Sequence, residues 1–195
     1  MKTIIYVAFA SSIAFYSCAE NNGKTNDTGA GHKDSVAPVV AVNNASTNPV
    51  TTNEIITAYL KVKNALANDQ GKNAAEAAHG MQSTLQNMPT GTLTPDQKKV
   101  YEDVKDDLEE HAEHIASNGT NIAHQREHFD MMSQDMIDLV KVTGSNQTLY
   151  RDHCPMYNKN KGASWLSETK DINNPYLGKE MPTCGEVKEE IRPKG

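Results

Sequence analysis

The stretch TPDQKKVYEDVKDDLEEHAEHIASNGTNIAHQREHFDMMSQDMIDLVKVTG, residues 94–144, decides the fold. Thr94-Pro95 is an N-cap followed by proline at the first helical position, where its missing N–H costs nothing. Behind it, Tyr101, Val104, Leu108, His111 and Ile115 recur at helical spacing. Ser117-Asn118-Gly119 interrupts the pattern. A second helix then carries Ile122, Phe129, Met132, Met136, Leu139 and Val140 on one side, and Gly144 stops it. Two long amphipathic helices joined by a few residues fold back on each other as an antiparallel hairpin.

Working outward, Ile55, Tyr59, Val62 and Leu66 give another helix, closed by Asn68-Asp69-Gln70-Gly71. Ala74, Ala78, Met81, Leu85 and Met88 give one more, ended by Pro89. The expected fold class is all-α: an up-and-down four-helix bundle over 53–145, with an irregular C-terminal segment, 146–192, packed on it. Pro155, Gly162, Pro175, Gly178, Pro182 and Gly185 argue against regular helix there until a last turn at Glu186–Ile191.

The N-terminal part reads differently. Lys2 precedes an apolar run from Ile4 to Phe15 that is too short for a stable bilayer span. With Tyr16-Ser17-Cys18 behind it, residues 1–17 resemble a bacterial lipoprotein signal, in which Cys18 is acylated and becomes the new N-terminus. Residues 18–52 then form an acylated cysteine and a polar tether, rich in Asn, Thr, Gly, Ala, Val and Ser. Such a composition buries too little to offset ordering, and a coil of that length spans about 30 Å. His32, within it, is solvated. The expected location is the cell envelope: the periplasm, lipid-anchored at the outer membrane.

Composition narrows the function. The 195 residues are 37% hydrophobic with net charge -6, an acid excess unsuited to displacing counterions from nucleic acid. It is equally unsuited to docking on anionic lipid, so membrane contact is expected only through the lipid on Cys18. The chain lacks a glycine-rich phosphate loop, Gly-x-Ser-x-Gly and His-Glu-x-x-His. Cys154 beside His153 has no third group to orient a nucleophile. The expectation is a binding protein and not an enzyme.

Seven His, 8 Met and 3 Cys supply metal-ligand chemistry. His79 falls opposite the apolar stripe of its helix and is a surface residue. His111 and His114 are spaced i,i+3, and His124 and His128 i,i+4, which brings each pair to one face. Folding the hairpin about Gly119 sets His114 level with His124 and His111 near His128. Glu109, Glu110, Glu113 and Glu127 would neutralise these side chains if they were only solvated surface groups. Yet His114, His124 and His128 sit on the border of the apolar stripes, where a covering segment can reach them, whereas His111 lies nearer the core and is expected to pack.

Cys154-Pro155-Met156 and Met181-x-x-Cys184 each pair a thiol with a thioether. Both are soft ligands that favour Cu(I), while imidazole takes copper or zinc. The absence of Cys-x-x-Cys spacing argues against a structural zinc site. Two thiols in an oxidising compartment also suit a disulfide, whose loop of about 30 residues would stabilise by about 3–4 kcal/mol. Met132 and Met136 are core fillers.

Tyr59-Leu60-Lys61-x-Lys63-x-Ala65-Leu66, His114-Ile115-Ala116 and His124-Gln125-Arg126-Glu127-His128-Phe129 form a recognisable order. Cys154-Pro155-Met156, Gly162-Ala163-x-Trp165-Leu166-Ser167, Asn174-Pro175-Tyr176-x-Gly178, Met181 and Cys184-Gly185 continue it. Over Glu54 to Ile191 the chain resembles domain-of-unknown-function family 3347. That family comprises periplasmic domains found in bacterial lipoproteins and fused to copper/silver efflux adaptor proteins. The resemblance implies a helical domain handling heavy metal, chiefly copper; the His and Cys side chains themselves make zinc the other candidate. It also implies ligands at His114, His124, His128, Cys154, Met156, Met181 and Cys184, and an efflux adaptor or metallochaperone as partner. On that reading His124 and His128 are rigid ligands, and Cys154 and Met156 arrive on a segment that orders with metal. The alternative is a lipid-anchored interaction module whose C-terminal segment is stapled by a Cys154–Cys184 disulfide.

Overall fold

A computed structural model describes residues 51–193. The leader at 1–17, Cys18, His32 and the tether up to residue 50 lie outside the described residues. Four helices follow one another: α1 (Thr52–Ala67), α2 (Gly71–Gln86), α3 (Pro95–Ser117) and α4 (Ile122–Thr143). Their ends follow from local chemistry. Thr94 Oγ1 accepts the Gln97 N–H at 3.3 Å and Gln97 Oε1 accepts the Thr94 N–H at 3.0 Å, a reciprocal cap on α3. Gly144, at φ 76°, ends α4 in a conformation that side chains disfavour.

Each helix packs on its neighbour in sequence, and α1 also touches α4, so the bundle runs up and down. Ile55, Leu66, Met81, Leu85, Leu108, Ile115, Met132 and Met136 fill its centre. Tyr59 is the polar exception. Its ring stacks on Phe129 at 5.1 Å, and its hydroxyl lies 2.8 Å from Ser133 Oγ while accepting the Leu166 N–H at 3.1 Å. That single hydroxyl joins α1, α4 and the C-terminal segment.

The C-terminal segment corrects the expectation of an all-α fold. It folds into three strands, β1 (Leu149–Cys154), β2 (Ala163–Ser167) and β3 (Glu186–Ile191), in an antiparallel sheet of order β2-β1-β3. The stretch expected as a last helical turn, Glu186–Ile191, is β3. The physical reason lies in where the helix breakers stand. Pro155, Gly162, Pro175, Gly178, Pro182 and Gly185 all fall outside the strands and mark the connections between them.

The sheet docks on α4 mainly through β2. Trp165 is fully buried. Tyr176 packs against it edge-on at 5.8 Å and also meets Phe129 and Tyr157. Two polar clasps hold the margins. Lys63 Nζ meets Glu168 Oε2 at 2.8 Å. Arg126 donates to Pro175 O, Leu66 O and Asp69 Oδ1 at 2.8, 3.0 and 2.6 Å. Gly178 lies so close to the second clasp that a Cβ there would sit 2.0 Å from Asp69 Oδ1.

Asp152 on β1 is fully buried, and neither carboxylate oxygen has a hydrogen-bond partner. Burial first, then repulsion from Glu168, pushes its pKa up to about 7 against the pull of Lys63. The folded protein thus holds a proton that the unfolded chain releases near pH 4. This contribution to stability is complete below that pH and is lost as pH rises toward 7. Asp152→Asn should remove that pH dependence and stabilise the fold at pH 8 by about 2 kcal/mol. Urea unfolding at pH 5 and pH 8 checks it; an equal pH dependence in both proteins would contradict it.

Candidate metal centre

The hairpin between α3 and α4 is built to be stiff. Asn121 caps α4, its Oδ1 accepting the His124 N–H at 3.3 Å. Gln125, buried one residue further, donates to Ile115 O and Gly71 O, each at 2.9 Å. Those bonds fix the start of α4 against the end of α3 and the start of α2. His124 and His128 project from the first turns of this anchored helix, and His114 from the last turns of α3.

One ligand nitrogen from each of His114, His124 and His128 lies within 4.8 Å of the other two. The His114 and His128 rings stack at 4.1 Å, nearly parallel. His124 stands edge-on to His128 at 4.6 Å and to His114 at 5.8 Å. All three are half-buried, open on one side to an ion from solvent. His111, expected only to pack, has its Nδ1 3.3 Å from His128 Nδ1. Carboxylates border the group: Glu127 Oε2 is 3.3 Å from His124 Nδ1, and Glu110 Oε1 is 4.0 Å from His114 Nε2.

The electrostatics favour the ligating form. Burial, with added repulsion from His114, His124 and His111, lowers the pKa of His128 to about 4. Burial also lowers His111, against the opposing pull of Glu110 and Asp107. An imidazole that stays neutral near pH 7 keeps a lone pair for a metal.

The sulfur side chains expected as ligands stand elsewhere. Cys154 closes β1 and Cys184 precedes β3; both are free thiols, with Sγ atoms 2.9 Å apart. Burial pushes the Cys154 thiol up. Cys184, the Met156 and Tyr157 backbone N–H groups and the Asn174 side chain outweigh that and lower it. Met156 and Met181 are exposed at 49% and 36%. The sheet packs against the side of α4 carrying Phe129 and Ser133, whereas His124 and His128 face α3. The seven expected ligands therefore do not form one site: the three imidazoles converge, the two thiols meet apart from them, and Met156 and Met181 stand exposed. Asn174, beside the thiols, gave no chemical signal in the sequence beyond the turn mark Asn-Pro.

His79 is exposed, as its position on α2 requires. Among the described residues no helix is long and apolar enough to cross a membrane. Three imidazoles on two rigid helices, with one side open, suit copper or zinc and leave a coordination position free.

Residues 55–148 match the model of a family described as "Protein of unknown function (DUF3347)". The match spans the four helices and the histidine triad and ends just before β1. No curated protein and no solved structure matches the chain.

Proposed function

We propose that this chain, which belongs to the DUF3347 family, binds a divalent transition-metal ion through His114, His124 and His128. The observation that carries the reading is the convergence of three imidazole nitrogens within 4.8 Å on two helices braced by Gln125. A bound ion draws the donors slightly closer by side-chain rotation, at nitrogen–metal distances of about 2.0–2.1 Å. With His128 Nδ1 beside His111 Nδ1, its Nε2 is the nitrogen left for the ion, and His111 takes the place a carboxylate or carbonyl usually fills behind a metal-bound imidazole. Glu127 and Glu110 add negative charge close to the site.

Copper is the favoured occupant, because N-donor sites bind Cu(II) most tightly among the common divalent ions; zinc, which imidazole also suits, is the other candidate. The role is non-enzymatic: the protein buffers the ion or passes it to an efflux adaptor or metallochaperone. It acts in the cell envelope, anchored by lipid on Cys18. Native mass spectrometry of the full chain with micromolar Cu(II) or Zn(II) tests the proposal. The expected result is one histidine-dependent ion per chain, absent in His114→Ala. If neither metal is taken up, the reading fails.

A further inference from the structure

We infer that the cleft between α4 and the Tyr157–Asn160 turn binds a linear alkylamine, whose ammonium group meets Asp130 beside the Tyr157 ring. The inference makes no use of the imidazole centre, and either can fail alone.

The first support is the shape of this side of the molecule. Two hollows adjoin along α4. The larger, of about 520 Å³, has Met131 on one wall and Tyr157 and Tyr176 on the other. The smaller, of about 270 Å³, continues past Gln134 toward His153 and Ser164. Asp130 lines both and so stands where they join. From Ala123 to Gln134 the helix rises by about 16 Å, room for a chain rather than for a compact ion. Hollows of this size, with an aromatic wall and a few convergent polar groups, are the usual form of small-molecule sites.

The second support is that the walls are held in place. Tyr176 is buried, and its hydroxyl donates to Ser164 O at 2.7 Å. Tyr157 stacks on it at 4.5 Å, which covers one face of the Tyr157 ring and fixes its tilt. Beyond it, Asn158, Lys159 and Asn160 are all left-handed, at φ 51°, 57° and 65°. Consecutive non-glycine residues hold that conformation only where the surroundings impose it, commonly at ligand clamps. Gly162, at φ 77°, ends the turn where a Cβ would come 2.7 Å from the His153 ring. Opposite, Met131 is 40% exposed, and its flexible thioether chain can lie along an alkyl stem.

The third support is the charge. Asp130 is half-buried, and the one partner of its carboxylate among the described residues is Gln134 Nε2, at a long 3.5 Å. A carboxylate in that position has lost part of its hydration and has no cation to offset the loss. Burial pushes its pKa up, with Gln134 opposing. Tyr157 is pushed up to about 12, first by burial and then by Asp130 and Glu127, against Arg126, so both carboxylates act on the same ring. The cations of the lining do not fill the need. Arg126 is committed to Asp69, Leu66 O and Pro175 O, and Lys159 is exposed on its turn. Glu127, for its part, leans toward His124. Among the described residues no three-donor group of His, Cys, Asp or Glu forms here, which disfavours a metal ion. An ammonium group instead takes a charge-assisted bond from one carboxylate and the field of an aromatic face.

The test uses the full chain, freed of metal by a chelator and titrated at physiological salt with diaminopentane. Pentanediol, of similar shape but uncharged, is the control. Calorimetry and the methyl resonance of Met131 read the binding. One amine should bind per chain and shift Met131, and the diol should do neither. Asp130→Asn should weaken the amine by about tenfold or more, and Tyr157→Leu, which keeps every charge, by about fivefold. Glu102→Gln, which removes an exposed carboxylate on α3, should change nothing. The inference is overturned if the amine does not bind, if the diol binds as well, or if Asp130→Asn keeps full affinity. An equal loss in Glu102→Gln would show diffuse attraction to an acidic chain and overturn it too. A blocked lysine tripeptide that binds more tightly than the amine would overturn it in favour of a polypeptide docking surface. The amine-to-diol comparison needs no variant, so a folding defect in one cannot rescue the inference. Cu(II) uptake should be the same in the parent and in Asp130→Asn, so a failure of the imidazole centre would show separately.

Discussion

The double variant His124→Ala, His128→Ala should lose Cu(II) affinity by a factor of about 100 or more while keeping its helical circular dichroism. Removing two of three donors leaves His114 alone, and a single imidazole on a half-exposed helix has no chelate partner. Substituting even an outer partner of a ligating histidine typically costs 10–100-fold in metal affinity, so direct ligands should cost more. The helix should persist because neither residue holds it. Asn121 caps α4, Gln125 bolts it to Ile115 O and Gly71 O, and Phe129 anchors it to Tyr59. His111→Phe should weaken binding by about tenfold, since it removes the group at His128 Nδ1 without removing a ligand.

A second readout separates a site from a surface cluster. In the fold, His128 stays neutral down to about pH 4, whereas in the unfolded chain it takes up a proton near pH 6.5. The unfolded state therefore binds more protons between those values. Stability from this group is complete above pH 6.5 and falls as pH drops toward 4. Losing His128 removes that acid penalty, so the double variant should lose less stability than the parent between pH 7 and pH 5. Urea unfolding at the two pH values measures it. Unchanged Cu(II) affinity in the double variant would reduce the hairpin histidines to surface groups.

The bundle was legible because its signals are local. Thr94-Pro95 and Gly144 set helix ends through capping and backbone freedom, and both hold in the structure. The histidine convergence was legible for the same reason, since i,i+3 and i,i+4 spacing plus a short turn fixes which side chains share a level. The same register sets His111 near His128 but outside the ligand set; the structure leaves it outside the three-imidazole group, with its Nδ1 3.3 Å from His128 Nδ1. The sheet was less legible. β1 alternates imperfectly, with a register irregularity between Arg151 and Asp152, and β3 is largely exposed. Neither strand shows the clean period of two that marks a strand in sequence. The separation of the imidazoles from the cysteines was beyond local reading. It depends on which side of α4 receives β2, and that choice rests on long-range partners such as Tyr59 with Leu166 and Lys63 with Glu168.

The Lys63–Glu168 clasp gives the largest expected change in stability. Lys63 is 1% exposed, and the Glu168 side chain, 30% exposed, meets it at 2.8 Å. Asn64 Nδ2 holds the other Glu168 oxygen at 2.7 Å. Burial pushes the Glu168 carboxyl up, but hydrogen bonds from Asn64 and Lys63 outweigh it, so Glu168 is held ionised. Removing one partner of such a pair strands the other charge away from water and costs about 3–5 kcal/mol. Here a reserve anion exists. Asp152 feels both Lys63 and Glu168, and without Glu168 the repulsion that helps keep it protonated is gone. In Glu168→Ala, Asp152, already ionised at pH 8, is freed of that repulsion and becomes the anion left to Lys63, holding the loss at pH 8 to about 2–3 kcal/mol. Adding Asp152→Asn to that variant withdraws the reserve and should bring the full 3–5 kcal/mol cost. The same Asp152→Asn change should therefore stabilise the parent and destabilise the Glu168→Ala background. Such a reversal of sign is the mark of residues acting as one network. Urea midpoints of the four proteins at pH 8 measure it, and additive effects would show that Asp152 and Glu168 do not share Lys63.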